Sequence, residues 1–338
     1  MMEEQRVVKN IDINRRKLLV GILGIPAALL GLNSEPYIQQ ANLSQTDRVT
    51  FFEHQMATRW DVYHTGGTIR ASRGLDTWMK EINGFANSLQ GTNQHDRALV
   101  IVAMSRQLEG SVARDMMRYK QAHVAYQQAF RIARELNSPE LMASALARRG
   151  VTLIQQDKPL EAITFLEGAL TTIDGLNLPT LKGYILQGLS EAYAKAQLKQ
   201  ECFQSIGRAE HIIELHPLIQ GRTQNLFSTA SVAAQKGVDA VLLLDYKGAI
   251  SQIDNSLITY DPTLIRGRSR LIAQKAEAYY GLGMIEESAK TAEEAFRLAD
   301  SVGSSKTISR VSKLYMAMTQ SSWSNERSVL ELGTLLSI

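Results

Sequence analysis

The chain has 338 residues, enough for one long helical array or two ordinary domains with a sizeable core. With 44% hydrophobic and 21% charged residues it has a globular composition, which argues against an intrinsically disordered chain. A net charge of +3, from 37 basic and 34 acidic residues with no polybasic block, gives little support for nucleic-acid binding, and the single Cys202 excludes an intrachain disulfide.

The N-terminal stretch Asn14-Arg15-Arg16-Lys17-Leu18-Leu19-Val20 leads a basic flank into an apolar run from Leu18 to Leu32, interrupted by Pro26. The paired arginines resemble a twin-arginine signal. The apolar run is 15 residues long, short of the roughly 18–20 that a spanning helix needs. No clear small-x-small cleavage site follows it. A linker helix on the body, an export signal and a membrane anchor are therefore all open readings of 14–32. The expected location is cytoplasmic, with membrane attachment or export through the twin-arginine-like segment as the alternative. Residues 1–45 form an N-terminal tail in this reading.

Beyond the tail, apolar residues recur at helical spacing and turn signals break them up. The turns include Thr65-Gly66-Gly67, Gly91-Thr92-Asn93, Asn137-Ser138-Pro139, Asp157-Lys158-Pro159, Asn177-Leu178-Pro179, Asp261-Pro262, Gly281-Leu282-Gly283 and Gly303-Ser304-Ser305. Only 7 prolines, set against abundant Ala, Leu, Glu, Gln and Arg, favour helix over strand. Residues 46–95 read as a divergent helix pair, 96–303 as the repeat array and 304–338 as capping helices, which repeat proteins need to cover a terminal apolar face.

The repeat is carried by small residues. The second helix of each unit has small side chains at i and i+7 and, in most units, a larger one at i+4: Ala122/Tyr126/Ala129, Ala162/Leu166/Ala169, Cys202/Ile206/Ala209, Ala249/Ile253/Ser256 and Ser288/Ala292/Ala295. Twelve residues before each set stands another small residue: Gly110, Gly150, Ser190, Gly237 and Ala276. The sets are 40, 40, 47 and 39 residues apart, and the offset of twelve is constant across five units. Residues i, i+4 and i+7 share one helix face, so the pattern predicts antiparallel helix pairs whose backbones approach at small residues. These are the positions at which tetratricopeptide repeats place their small residues. The predicted fold is an all-α, right-handed solenoid of tetratricopeptide-like helix-turn-helix repeats, with HEAT or armadillo repeats as the minority reading.

Several stretches resemble the C-terminal sensory half of bacterial helix-turn-helix regulators of the xenobiotic-response-element (XRE) type. They are Arg15-Arg16-Lys17-Leu18-Leu19, Trp60-Asp61-Val62-Tyr63-His64-Thr65-Gly66-Gly67, Glu109-Gly110-Ser111-Val112-Ala113-Arg114-Asp115 and Ser190-Glu191-Ala192-Tyr193-Ala194-Lys195. The resemblance implies a tetratricopeptide sensory array. The thirteen residues before Asn14 are too few for a three-helix DNA reader, so the expectation is a regulator-like chain without that head and without specific nucleic-acid binding.

Chemistry-bearing groups are sparse. The six histidines are scattered without metal-ligand spacing. Asp61 and His64 have no nucleophile or substrate anchor beside them, and Cys202 occupies a small-residue slot that implies a buried, unreactive thiol. Gly281-Leu282-Gly283 lacks the strand and third glycine of a dinucleotide loop. The chain reads as a non-enzymatic scaffold or sensor with no cofactor and no metal. Its expected partner is a protein or peptide in the concave groove formed by the first helices. The side chains placed there are Gln107, Ser111, Arg114, Arg148, Tyr184, Gln187, Glu191, Arg270, Glu277 and Tyr280, on a helix face expected to lack internal partners. Two further readings are a membrane-attached or exported adaptor using Leu18 to Leu32, and a headless regulator that titrates paralogous DNA-binding regulators.

Overall fold

A computed structural model of the chain describes residues 44–217, 219 and 225–336. The apolar run to Leu32 and its arginine pair lie outside the described residues. All regular elements among the described residues are α-helices, as the small-residue repeat predicts. None of these helices is long and apolar enough to cross a membrane.

Three N-terminal helices, α1 (Gln45–Thr65), α2 (Gly67–Ser72) and α3 (Leu75–Ser88), occupy the stretch expected to hold one pair. Five antiparallel pairs follow: α4 (His95–Asp115) with α5 (Tyr119–Glu135), α6 (Pro139–Gln155) with α7 (Pro159–Thr172), α8 (Pro179–Lys195) with α9 (Lys199–Leu215), α10 (Thr229–Leu242) with α11 (Tyr246–Thr259), and α12 (Ile265–Gly281) with α13 (Ile285–Ser301). Helices α14 (Ser305–Thr319) and α15 (Arg327–Leu336) end the array. Local chemistry sets several helix starts. Pro139, Pro159 and Pro179 each open a helix, where the missing N–H costs nothing. Ser228 and Ser231 cap α10 reciprocally.

Each pair turns through the same device. Met117, Asp157, Gln197, Leu244 and Gly283 all have positive φ, between 60° and 73°. They stand five residues before each repeat's first small residue and so repeat at the same spacings of 40, 40, 47 and 39. After each, the next N–H donates back to the helix, as in Arg118 N to Ala113 O at 2.8 Å and Met284 N to Tyr279 O at 3.0 Å. This is the left-handed helix end that glycine usually supplies, here made by four non-glycine residues.

The small-residue slots pack as their spacing predicts. Ala122, Ala129, Ala162, Ala169, Cys202, Ala209, Ala249, Ser256, Ser288 and Ala295 are all fully buried. A Cβ placed on Gly110 would stand 2.5 Å from the Tyr126 ring, one on Gly150 2.6 Å from Leu166, and one on Gly237 2.6 Å from Ile253. In these three units the large i+4 side chain thus lies over the bare backbone of the preceding helix. In the last unit Ser288 Oγ donates to the Ala276 carbonyl at 2.7 Å, across the same twelve-residue offset.

The first helices of successive pairs lie against one another and line the inside of the coil, and the coil returns on itself. Gly67, at φ +77°, sits so close to Val302 that an added Cβ would fall 2.5 Å from its side chain and its carbonyl oxygen. The Thr68 N–H donates to that carbonyl at 3.2 Å. The N-terminal helices therefore dock on the turn between α13 and α14. Replacing Ala162 by Leu should overpack the α6–α7 crossing and cost about 1–3 kcal/mol, whereas Gln121→Leu on the exposed face of α5 should cost under about 0.5 kcal/mol. Thermal unfolding of the two variants checks the register, since equal melting shifts would contradict it.

Candidate functional site

The inner face is built from the first helices, which carry polar side chains there. The sequence reading puts an open groove there, lined by side chains without internal partners. The structure corrects that expectation, because neighbouring first helices, and around Tyr63 the closure of the coil, turn these groups toward one another.

Gln107 is fully buried; its Oε1 accepts from Ser144 Oγ at 2.7 Å and from Arg148 Nε at 3.1 Å. Arg148, 2% exposed, stacks its guanidinium 4.4 Å above the Trp60 ring and 5.6 Å from the Tyr184 ring, and donates to Asn225 Oδ1 at 3.1 Å. Gln187 is buried and donates to Ser231 at 3.2 Å. Glu191 accepts from Arg270 at 2.8 Å, Glu277 accepts from Arg310 at 2.6 Å, and the Tyr280 hydroxyl donates to the Ala317 carbonyl at 3.2 Å. Tyr184, Glu191, Arg270, Glu277 and Tyr280 retain partial exposure.

At the centre is a buried ionic cluster that joins the two ends of the array. The Tyr63 hydroxyl donates to Asp115 Oδ2 at 2.9 Å and accepts from Arg114 Nη2 at 3.0 Å and from Arg266 Nη1 at 2.8 Å. Arg266 also pairs with Asp115 and lies 4.2 Å over the Tyr63 ring. Burial alone would favour a neutral Asp115, but the Arg266 and Arg114 guanidiniums hold it below the usual carboxylate range. Tyr63 is pushed up, chiefly by burial, and stays a phenol. Tyr63, Asp115 and Arg266 thus tie α1, α4 and α12 together. Tyr63, Asp115, Asn225, Arg266, Lys306 and Arg310 are among the inner-face groups that sequence reasoning missed. Counting from the small residues ranks positions within one helix pair and carries no information about which distant pair faces it.

A second buried acid behaves differently. Asp239, 3% exposed, accepts one hydrogen bond from Gln235 Nε2 at 2.8 Å, while its other oxygen is buried without one. Burial raises it from 3.8 to about 8. The neighbouring Cys202 thiol is pushed up by its own burial and then by Asp239, which fits an unreactive side chain. Among the described residues no group of His, Cys, Asp and Glu has the arrangement of a metal site. His64 belongs to the packing of α1, where it stacks on Trp60 at 5.8 Å, and Asp61 lies on the exposed face of that helix.

No protein-family profile matches the chain, and no curated protein matches it. Solved structures do. A Rap protein complexed with competence and sporulation factor is similar at a TM-score of 0.58, with 11% identity, covering 97% of this chain and 86% of that one. BtubC from P. vanneervenii has a TM-score of 0.48 and 14% identity, covering 69% of this chain and 93% of that one. A tetratricopeptide repeat protein from Parabacteroides merdae has a TM-score of 0.36 and 12% identity, covering 85% and 99%. The likeness to the Rap protein shows a shared all-α helical-repeat fold.

Two predictions follow from the buried acids. Asp115→Asn leaves Arg266 and Arg114 without their counter-charge and should cost about 3–5 kcal/mol in chemical denaturation. Glu53→Gln, in the half-exposed pair with Arg97, should cost under about 1 kcal/mol. For Asp239 the sign runs the other way. Between 3.8 and about 8 the unfolded chain ionises this group while the folded chain keeps its proton, so stability falls as pH rises through that window. Asp239→Asn removes the penalty: its melting temperature should match the parent's near the acid end of the window and exceed it by at least about 2–4 °C at the alkaline end.

Proposed function

We propose that this chain is a non-enzymatic helical-repeat sensor that holds a peptide or a peptide-like segment of a partner protein inside its coil. The observation that carries this reading is the inner face itself. It is polar and aromatic, it draws on the first helices of every pair, and five of its members stay partly exposed although the coil closes around them. An extended peptide needs this kind of lining, in which amide and charged side chains meet its backbone and aromatic rings anchor its side chains. Similarity to the Rap protein, solved with the competence and sporulation factor bound, supports a helical array of this shape as a receptor for such a ligand.

A regulatory role is the finer reading. The stretches that resemble the sensory half of xenobiotic-response-element-type regulators supply Trp60, Tyr63, Gly67, Arg114, Asp115 and Glu191. In the fold these residues meet at the closure and on the inner face. A ligand on that face contacts both ends of the coil at once, so its binding energy acts directly on the closing contact.

The test is retention of a random hexapeptide library by the full chain, read by mass spectrometry. A discrete set of peptides should be retained, and Tyr184→Ala should weaken them by about 2 kcal/mol, roughly thirtyfold, with little change in melting temperature. Undiminished binding by the variant would place the ligand away from the inner face.

A further inference from the structure

The inner face has more basic side chains than carboxylates, and it has unused donors. Among the described residues, the basic side chains Arg114, Arg266, Arg270, Arg310 and Lys306 share it with three carboxylates, Asp115, Glu191 and Glu277. Each carboxylate has its own arginine: Arg266 on Asp115, Arg270 on Glu191 and Arg310 on Glu277. Arg114 reaches the Asp115 carboxylate as well, so two guanidiniums share one acid there, and Lys306 has no ion-pair partner among the described residues. The fourth acid, Asp239, is raised to about 8 and keeps its proton at neutral pH.

The hydrogen-bond inventory points the same way. Arg114 is 6% exposed, and its Nη1 is buried without an acceptor; Arg270 Nε and Arg266 Nε are in the same condition. Lys306 projects from α14 into the electrostatic reach of Arg114 on α4, Glu191 on α8 and Arg270 on α12, and has no hydrogen-bond or ion-pair partner among the described residues. Burial, followed by repulsion from Arg270, holds its amine well below the usual lysine range, with Glu191 only partly offsetting this. The buried N–H groups of Arg114, Arg266 and Arg270 are costly to leave without acceptors. What these guanidiniums lack is an acceptor, and their charge favours an anionic one.

We propose that the inner face is an anion site for a carboxylate of an acidic peptide, received between Lys306 and Arg114 with Arg270 alongside. This rests on the peptide-binding reading above and sets the charge of the ligand. An extended acidic peptide supplies both negative charge and the missing acceptor oxygens, from an Asp or Glu side chain or from its C-terminus. Charge-assisted bonds of this kind are stronger than neutral ones and gain further where water is excluded.

Two fluorescein-labelled hexapeptide pools test it on the full chain, one carrying Asp and Glu at its charged positions and the other Lys and Arg, each with a free and an amidated C-terminus. Fluorescence anisotropy should show the acidic pool binding at least about tenfold more tightly than the basic pool. Lys306→Gln should cut acidic-pool binding by about tenfold with an unchanged or higher melting temperature, and Lys306→Glu should reverse the preference between pools. The amidated forms separate the two sources, because a C-terminal carboxylate loses its binding on amidation and a side-chain carboxylate does not. Equal binding of both pools, or an acidic pool indifferent to Lys306→Gln and Lys306→Glu, would overturn the anion site while leaving a peptide groove in place. Binding of neither pool would overturn both readings.

Discussion

Two helix backbones can come close only where one of them carries almost no side chain, and this constraint organises the whole array. Gly110, Gly150 and Gly237 expose bare backbone, and Tyr126, Leu166 and Ile253 lie on it. Where the site holds a serine or alanine, at Ser190 and Ala276, that residue is itself fully buried. Because the contact recurs with one offset, each pair is added to the last in nearly the same way, and a curved coil results. Curvature turns the first helices inward, and the inner face follows from that.

Closure then changes what the inner face is. In an open solenoid Arg114, Arg148 and Glu191 would be solvated side chains of little consequence for stability. Here α1 returns to α12 and to the turn at Val302, Arg114 and Arg148 are buried, and the same groups satisfy one another. Tyr63 serves as the joint, giving one proton to Asp115 and accepting from two arginines. Such a cluster is an expensive way to hold a protein together, since desolvating several charges offsets much of their attraction. It is, however, sensitive to any ligand that brings further charge to it, and an apolar seam would not be.

The longest unit shows how an irregularity in the repeat becomes part of the site. The seven extra residues between the third and fourth sets fall in the connection from α9 to α10. That connection buries Phe227 against Gly183, where a side chain on the glycine would overlap the ring, and it brings Asn225 to Arg148. Spacing alone marks the insertion as a departure from the period of 40. Its role on the inner face depends on contacts 77 residues apart in the chain.

The helical class, the pairing of helices and the residues at each crossing were legible in the sequence because they depend on contacts within some forty residues, and volume alone decides them. Ala162, Leu166 and Gly150 declare their contact by size. The turns were only half legible. Gly283 announces a left-handed residue, but Met117, Asp157, Gln197 and Leu244 adopt the same conformation without a glycine, because the helices on either side impose it. Gln107, Arg148 and Glu191 were legible only as polar positions on the first helices. Their partners were not legible, because Tyr63 and Arg266 are 203 residues apart in sequence and meet only when five pairs have turned through the full coil. Local size rules fixed the crossings, whereas the accumulated rotation of the array decided which charges would share one buried space.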